Sequence, residues 1–363
     1  MDNRLRRFRY FDWFSCIITF AIALIGLMLI FSATFTYEEP FSFFFTKQAY
    51  GILFGIVIYC AAASIDYRTS MRWGAVCYLV VLTFLAITLV KGSIGMGGQR
   101  WLSLFFFKIQ PSELAKLFFP AFLAHHFEQH KTTAHNTRTF IPLLITLGVS
   151  CILIAKQPDL GTALLLLFSG ALLMWHAGMN SNIFKYTLLI CALCTPILWK
   201  LLKPYQKKRI EVFLGQGDSH KERYQIEQAT IAIGSGGFLG KGFLRGTQNK
   251  LRFLPESRTD MIFAVLCEEF GFVGALALLL AYLFLVLRIL GFIAQITPLH
   301  VQLYALGLLS HVIFAVLINV AMVTNLLPVV GIPLPMISYG LSNLWVTLAS
   351  FGILQAITMY ERQ

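Results

Sequence analysis

The sequence predicts an all-α, polytopic membrane protein with about ten transmembrane helices. Of the 363 residues, 57% are hydrophobic and only 13% are charged, and the mean hydropathy is +0.72. Soluble domains are rarely more than about half apolar. Stretches of roughly 20 apolar residues, long enough to cross a bilayer, recur along the whole chain. A transmembrane β-barrel would instead show alternating strands of about ten residues.

Ten apolar segments are the candidate spans of one membrane domain, residues 1–363. In chain order they are 12–34, 48–65, 74–91, 112–128, 139–156, 161–178, 183–202, 260–290, 300–326 and 337–359. The seventh and eighth are separated by residues 203–259, which is longer than an ordinary connection. Apolar residues such as Ile226, Ile233 and Phe238 predict that this loop folds onto the outer face of the membrane.

The Lys and Arg residues of the short loops predict the orientation, since cytoplasmic loops are richer in them. With the N-terminus inside, eleven such residues fall in inner segments and five in short outer loops. The inner ones are Arg4, Arg6, Arg7, Arg9, Arg68, Arg72, Lys131, Arg138, Lys185, Arg288 and Arg362. The outer ones are Lys47, Lys91, Arg100, Lys108 and Lys156. Both termini are therefore expected in the cytoplasm, with the 203–259 loop outside.

Two features exclude other classes of function. The net charge of +12 does not indicate a partner nucleic acid, because the positive charges are spread over the membrane flanks. All seven cysteines lie in apolar stretches, and the Cys191–Cys194 pair has no second pair to complete a metal site. We therefore expect neither zinc nor disulfides, and no tightly bound cofactor.

Charges within or beside the apolar segments are the first indication of a functional site, because a charge at the bilayer centre costs about 2.5–3.5 kcal/mol. The residues concerned are Glu113, Lys116, Asp159, Asp260, Glu268 and Glu269. Glu113 and Lys116 are three residues apart and share a helix face, so they are expected to pair. Two roles stay open for them: an ion pair that holds the fourth span, and a cavity in which Lys116 contacts an anionic substrate.

The segment GGQRWLSLFFFKIQPSELAK leads into the fourth span. Its apolar part, residues 101–109, is too short to cross a bilayer, which predicts an interfacial or re-entrant piece. Pro111 and Ser112 are typical of a helix start, with Ser112 as the candidate N-cap. Arg100 either reaches lipid headgroups or faces a site.

Three further segments are rich in turn residues. AKQPDLGTA predicts a turn in which Asp159 caps the sixth span. GSGGFLGKG, residues 234–242, either binds an anion through exposed backbone N–H groups or is an ordinary loop. NLLPVVGIPLPMISYG, residues 325–340, has three prolines and two glycines, which exclude one continuous helix and predict the wall of a cavity.

Five motifs occur in one order along the chain: GGQRWLSLFFFKIQPSELAK, QPDLGTAL, YQIEQATIAIGSGGFLGKG, FLPESRTDMIFAVLCEEFGFVG and NVAMVTNLLPVVGIPLPMISYG. Together they resemble the SEDS family (shape, elongation, division and sporulation), and VVGIPLP is more similar to its elongation members. The resemblance covers nearly the whole chain. It implies a peptidoglycan glycosyltransferase of the bacterial cytoplasmic membrane that polymerises lipid II on the outer side, with a class B penicillin-binding protein and other elongation-complex membrane proteins as partners.

The resemblance also implies roles for individual residues. The catalytic aspartate of the family's PExxTDFIF pattern falls on Asp260. The candidate substrate-binding residues are Arg100, Glu113, Lys116, Asp159, Arg258 and, more loosely matched, Lys47. Glu268, Glu269 and Ser338 are expected to hold the structure or to line the cavity. The chain departs from the family pattern at Met261, Asn325, Leu341 and Asn343, of which Leu341 replaces a glycine near the start of the tenth span.

The chemistry of glycosyl transfer suggests a role for several of these residues. Lipid II carries its sugar α-linked to pyrophosphate and the polymer linkage is β-1,4, so a single inverting displacement suffices. It requires a base for the acceptor hydroxyl, for which Asp260 is the candidate. It also requires positive charge at the leaving pyrophosphate, from Arg100, Lys116 and Arg258 or from a divalent cation such as Mg²⁺ or Mn²⁺.

The placement expected for Asp260 is the first turn of the eighth span, capped by Thr259, where the helix dipole favours a carboxylate. Two other functions stay open. One is a flippase or transporter of a lipid-linked precursor, since charged residues and broken helices are transporter features too. The other is a non-catalytic scaffold for a penicillin-binding protein.

Overall fold

The computed structural model describes residues 9–95, 98–104, 107–130, 137–187, 204–215, 220–251 and 253–362. Helices dominate this part of the chain, and residues 181–187 are also helical. The helices are α1 (Trp13–Thr34), α2 (Phe43–Ser64), α3 (Tyr67–Lys91), α4 (Pro111–His130), α5 (Thr137–Lys156), α6 (Leu160–His176), α7 (Pro204–Phe213), α8 (His220–Gly236), α9 (Thr247–Lys250), α10 (Ile262–Ile293), α11 (Leu299–Val323) and α12 (Leu341–Glu361).

Within the described residues, seven helices are long and apolar enough to cross a membrane: α1, α2, α3, α5, α10, α11 and α12. Helix α6 is apolar but has 17 residues, and α4 covers the predicted fourth span. The prediction of an all-α, polytopic membrane protein is confirmed. The span predicted at 183–202 lies mostly outside the described residues, so the count of ten stays a prediction.

Helices α11 and α12 form the centre of the bundle. Of the most apolar stretch of α12, 89% is buried, and of α11 67%, against 28% for α2. Helix α11 packs on α4, α6 and α10, and α12 packs on α2 and α4. The outer helices expose large apolar side chains such as Ile17, Leu53, Val57 and Ile145. Such a surface suits contact with lipid tails.

The segment before α4 forms three short antiparallel β-strands. Strand β1 (Ser93–Gly95) pairs antiparallel with β2 (Gly98–Leu104), and β2 pairs with β3 (Phe107–Ile109). The sequence predicted an interfacial or re-entrant piece at 101–109 without strand pairing. In the structure, the hydrogen bonds between the strands satisfy backbone polar groups of this piece.

The described parts of the 203–259 loop are folded, and α8 packs on α10. Their position on the outer face of the membrane stays a prediction. Helix α10 is broken at Gly271, whose φ of 64° and ψ of −161° suit glycine. At the break, the N–H groups of Phe272 and Val273 donate to the carbonyl oxygens of Gly237 and Phe238, at 2.9 and 3.1 Å. The turn after α8 therefore supplies the acceptors that an unbroken helix would have supplied.

Bonds in the opposite direction complete this junction. The N–H groups of Lys241 and Gly242 donate to the carbonyl oxygens of Glu268 and Glu269, at 3.0 and 2.9 Å. The N–H of Gly240 donates to Gly236 O at 2.9 Å. The N–H groups of Gly240, Lys241 and Gly242 are thus used within the protein and are not free to bind an anion. For the rest of the 234–242 segment, anion binding stays a prediction.

Candidate active site

Asp260 lies in the turn of residues 255–261 that leads into α10. The helix begins at Ile262, and its N-cap residue, Met261, makes no side-chain capping bond. The hydroxyl of Thr259 donates to Glu256 Oε2 at 2.9 Å instead of capping α10. The expected placement of Asp260 in the first helical turn, capped by Thr259, is therefore wrong, because the turn closes onto Glu256.

The environment of Asp260 raises the pKa of its carboxyl to about 6. Burial is the main cause, and the charges of Glu256 and Asp159 add to it, while Arg209 and Arg100 oppose it. The side chain is nevertheless partly exposed. The Asp260 carboxyl therefore changes protonation near pH 6. A general base is most effective when its pKa lies near the working pH, so this pKa suits such a role.

Three successive carbonyl oxygens of this turn are bound by the C-terminal part of the chain. Tyr339 N donates to Arg258 O at 2.9 Å, and Ser338 Oγ donates to Thr259 O at 2.7 Å. Asn319 Nδ2, from α11, donates to Asp260 O at 3.0 Å. The turn is therefore fixed by its backbone, while the Asp260 carboxylate is left available.

Arg100 and Asp159 meet where β2 passes the start of α6. The Arg100 guanidinium donates to Pro158 O and, at 3.3 Å, to Gln157 O. Asp159 is buried and caps α6, as predicted, by accepting from Thr162 N at 3.3 Å. Its other oxygen accepts from Ser112 Oγ at 3.2 Å.

The hydroxyl of Ser112 is therefore used by Asp159, and α4 begins one residue earlier, at Pro111. The prediction of Ser112 as the N-cap of α4 is wrong. Gln110 Nε2 donates to Asp159 Oδ2 at 2.9 Å, so the start of α4 is tied to the start of α6 through Asp159.

Glu113 and Lys116 form the predicted pair, with Lys116 Nζ 2.6 Å from Glu113 Oε2. Both side chains are buried, at 4% exposure each. Asn343 Nδ2 of α12 donates to the same oxygen at 3.3 Å. The pair therefore links α4 to α12, and the substrate contact suggested for Glu113 and Lys116 stays a prediction.

A cavity of about 820 Å³ adjoins the Asp260 turn. Its wall includes Glu256 and Arg258 from that turn, together with the α1–α2 connection. The Arg258 guanidinium lies over the ring of Phe44, 3.9 Å from its centroid. Lys47 is exposed on the surface of α2, with its Nζ 5.1 Å from the Phe43 ring centroid. Arg258 thus lines the cavity, whereas Lys47 does not.

Glu268 and Glu269 are buried, and each has an assigned partner. Glu268 Oε1 accepts from Lys241 Nζ at 2.7 Å and from Thr247 N at 2.7 Å. Glu269 Oε1 accepts from Ser32 Oγ of α1. They join the 203–259 loop and α1 to α10, which agrees with the structural role expected for them.

A family model described as cell cycle proteins of the FtsW, RodA and SpoVE type matches residues 12–363. The chain belongs to this family. It is similar to the peptidoglycan glycosyltransferase MrdB of Escherichia coli strain K12, with 38% identity over 86% of this chain and 84% of that protein. Its fold matches a chain of a peptidoglycan synthase complex that coordinates polymerization and crosslinking, with a TM-score of 0.81, 27% identity, and 97% and 99% of the two chains covered.

The fold alone is also shared with the rod shape determining protein RodA of Thermus thermophilus, with a TM-score of 0.72 at 24% identity over 97% of this chain and 98% of that one. The family match and the likeness to MrdB confirm the SEDS resemblance.

The departures from the family pattern fit their surroundings. Asn325 has φ +59°, a conformation that asparagine adopts more readily than most residues. Leu341 packs over Gly51 of α2, where a Cβ would meet its side chain at 2.3 Å. Asn343 binds Glu113, and Met261 is buried. None of the four therefore disrupts the site.

Three residues beside Asp260 were not predicted: Glu256, Arg209 and Asn319. Arg209 Nη1 donates to Val329 O at 2.9 Å, and its charge acts on Asp260. Nothing distinguishes Arg209 within the basic 203–259 loop of the sequence. Asn319, in contrast, is a lone amide in the apolar run of α11, and a polar residue at that depth is a signal that sequence reasoning could have used.

Proposed function

We propose that this protein polymerises lipid II into glycan strands on the outer side of the bacterial cytoplasmic membrane, with Asp260 as the general base. It is a peptidoglycan glycosyltransferase of the FtsW/RodA/SpoVE family, and its multi-pass helical fold supports the membrane location. The observation that carries the assignment is Asp260 itself: a partly exposed residue whose carboxyl has a pKa of about 6, in a turn fixed by its backbone. Glu256, Ser257 and Arg258 of the same turn line a cavity.

In this mechanism, Asp260 removes the proton of the acceptor hydroxyl as that oxygen attacks the anomeric carbon of the donor sugar. The bond from that carbon to the pyrophosphate breaks, and the configuration inverts from α to β. Arg100, Arg209 and Arg258 lie on the elements that surround the Asp260 turn. Their charges stabilise the leaving pyrophosphate, which gains negative charge in the transition state.

A divalent cation stays a prediction. Among the described residues, no group of three or more His, Cys, Asp and Glu side chains is placed to hold a metal ion, whereas Mg²⁺ carried by a pyrophosphate needs only one or two protein carboxylates. The steps above are assigned to side chains.

The transport alternative predicts a binding site near the middle of the bilayer. The carboxyl with the raised pKa lies instead in a turn before α10 begins. The Glu113–Lys116 pair is buried inside the helix bundle, and it is closed by its own partners.

The test is polymerisation of labelled lipid II by purified Asp260→Asn protein. We expect a loss of about a hundredfold or more, the usual scale for a lost acid–base group. Glu227→Gln is the matched control, because Glu227 is an exposed carboxylate of the same outer loop that pairs with Arg223; it should polymerise as the unchanged protein does. Equal rates for Asp260→Asn and Glu227→Gln would remove Asp260 from the chemistry. Transport of lipid II without polymer by the unchanged protein would favour the flippase.

The partner we propose is a class B penicillin-binding protein, working with other membrane proteins of an elongation complex. The similar chain in a peptidoglycan synthase complex supports this. If the partner only used this chain as a scaffold, the Asp260→Asn complex would polymerise at the rate of the unchanged complex.

The proposed orientation is tested by cysteine labelling in spheroplasts. Glu227→Cys lies in the outer loop and Thr69→Cys near the start of α3 on the opposite side, and both positions are exposed. An impermeant maleimide should label Glu227→Cys in intact cells and Thr69→Cys only after permeabilisation. The reverse pattern would invert the topology and place the Asp260 turn inside the cell.

A further inference from the structure

The backbone of the Asp260 turn is held more firmly than its side chains. Tyr339 N, Ser338 Oγ and Asn319 Nδ2 bind three consecutive carbonyl oxygens, those of residues 258 to 260. The donors come from α11 and from the non-helical segment before α12, about 60 to 80 residues along the chain. Each of these carbonyls is bound by a separate donor from a distant part of the chain, which fixes the turn relative to α11 and to the segment before α12.

Asn319 is the centre of this arrangement. Its side chain is fully buried, and its Nδ2 donates to Ile332 O at 2.7 Å as well as to Asp260 O at 3.0 Å. One amide group thus ties the catalytic turn to the segment that contains Gly331. Gly331 has φ +77°, and a Cβ built there would be 3.4 Å from Asp260 Oδ2, so this backbone lies directly against the carboxylate.

Ser338 supports the same turn through a relay. Its hydroxyl donates to Thr259 O at 2.7 Å and accepts from Leu334 N at 2.8 Å. Ser338 is buried, and its hydroxyl is used both as a donor and as an acceptor. Ser338 therefore stabilises its own segment through Leu334 and also holds the Asp260 turn through Thr259.

We propose that Asn319 and Ser338 are positioning residues that hold the Asp260 carboxylate at its reacting place by fixing the backbone on either side of it. The proposal rests on Asp260 being the general base. It assigns to the C-terminal segment a part in the reaction that does not involve contact with substrate.

The physical consequence concerns both geometry and charge. A misplacement of about 1 Å in a reacting group lowers the rate on the order of a hundredfold. A loosened turn would also let water reach the carboxyl, and its pKa would fall toward the ordinary value. The charged groups that face Asp260 are Glu256 of its own turn, Arg209 of α7, Arg100 of β2 and Asp159 at the start of α6, and none of them is altered by changes at Asn319 or Ser338.

The experiment measures polymerisation against pH, between about pH 4.5 and 8.5, for the full chain in complex with its penicillin-binding partner. The variants are Asn319→Ala and Ser338→Ala. The control is Ser310→Ala, because Ser310 is a buried hydroxyl of α11 that binds Ser169 away from the turn. Thermal unfolding of each variant is recorded in parallel.

We expect kcat to fall about tenfold to a hundredfold in both test variants, with KM within about twofold. The acid limb of the pH profile should move from near pH 6 toward pH 4 to 5, because a solvated aspartate titrates at about 3.9. Ser310→Ala should keep both the rate and the acid limb. If Asn319→Ala does not fold, Ser338→Ala decides, since it removes only one oxygen.

Two results would overturn the proposal: unchanged kcat in both test variants, or a reduced kcat whose acid limb stays near pH 6, which would indicate general damage. Failure of the base assignment is separate. It would appear as full activity of Asp260→Asn, whatever the rates of Asn319→Ala and Ser338→Ala.

Discussion

At the scale of the residue, the protein keeps Asp260 in surroundings that disfavour its charge. Burial and Glu256 raise its pKa to about 6 from the ordinary 3.8, against the opposing charges of Arg209 and Arg100. Ionisation of Asp260 is thus less favourable in the folded protein than in the unfolded chain, and the proposed base acts in its ionised form. Catalytic sites commonly lower stability in this way.

The stability of Asp260→Asn tests this cost. A carboxyl whose folded-state pKa is raised contributes most to stability below about pH 3.8, and that contribution is lost as the pH rises through about 6. The asparagine does not ionise. We therefore expect the variant to be more stable than the unchanged protein at pH 8, by at most about 3 kcal/mol since one pKa unit is about 1.4 kcal/mol, and equally stable near pH 4.

The measurement is the Tm of the detergent-solubilised proteins at the two pH values. Glu227→Gln, at an exposed position, should show no difference at either pH. A Tm for Asp260→Asn below that of the unchanged protein at pH 8 would mean that the ionised carboxylate makes a net stabilising contact.

At the scale of the element, the junction of α8 with the break in α10 depends on close backbone contact. A Cβ at Gly236 would be 1.9 Å from Cys267 O, whereas a Cβ at Gly234, in the same helix, would have no atom within 4 Å. Both residues are helical in α8. The two glycines therefore look alike in the sequence GSGG and differ only in what they face.

This difference gives a matched pair of variants. Gly236→Ala should destabilise the protein by about 1–3 kcal/mol, because the added methyl group forces α8 away from α10. Gly234→Ala should be neutral or stabilising by up to about 1 kcal/mol, because alanine is the better helix former. Tm values and limited proteolysis of the outer loop would measure both effects. Equal Tm values for the two variants would show that the contact between α8 and α10 yields easily.

The same scale shows what the sequence could specify. Apolar length predicted the long helices, and prolines and glycines predicted the non-helical segment before α12, because these are local properties of the chain. The β-strands before α4 and the start of α10 at Ile262 were missed. Strand pairing and the closure of the 255–261 turn on Glu256 depend on contacts between segments, which composition and spacing do not contain.

At the scale of the whole molecule, the fold brings residues of three other motifs to the turn that holds Asp260: Arg100, Asp159 and the 319–339 segment. The motif order identified the family and pointed to Asp260, but not to the donors that hold it. Arg209 and Asn319 are more than 50 residues from Asp260 in the chain, so their proximity follows only from the packing of the helices. Leu341 and Asn343 were departures by sequence, and the packing of α12 on α2 and α4 accommodates them.

The buried Glu113–Lys116 pair joins α4 to α12. A double-mutant cycle separates the two roles suggested for it. Lys116→Met leaves Glu113 buried with only the Asn343 amide, 3.3 Å away, as a described partner, and should cost about 3–5 kcal/mol. The double variant Glu113→Gln with Lys116→Met removes both charges and should recover much of that loss. Tm values report the coupling, and lipid II polymerisation by the double variant reports the chemistry.

A folded, inactive double variant would place Lys116 on the substrate, since the charge network is then neutral and the fold intact. Activity near that of the unchanged protein would show that Lys116 serves the structure, and the positive charge for the pyrophosphate would then rest with the arginines around Asp260.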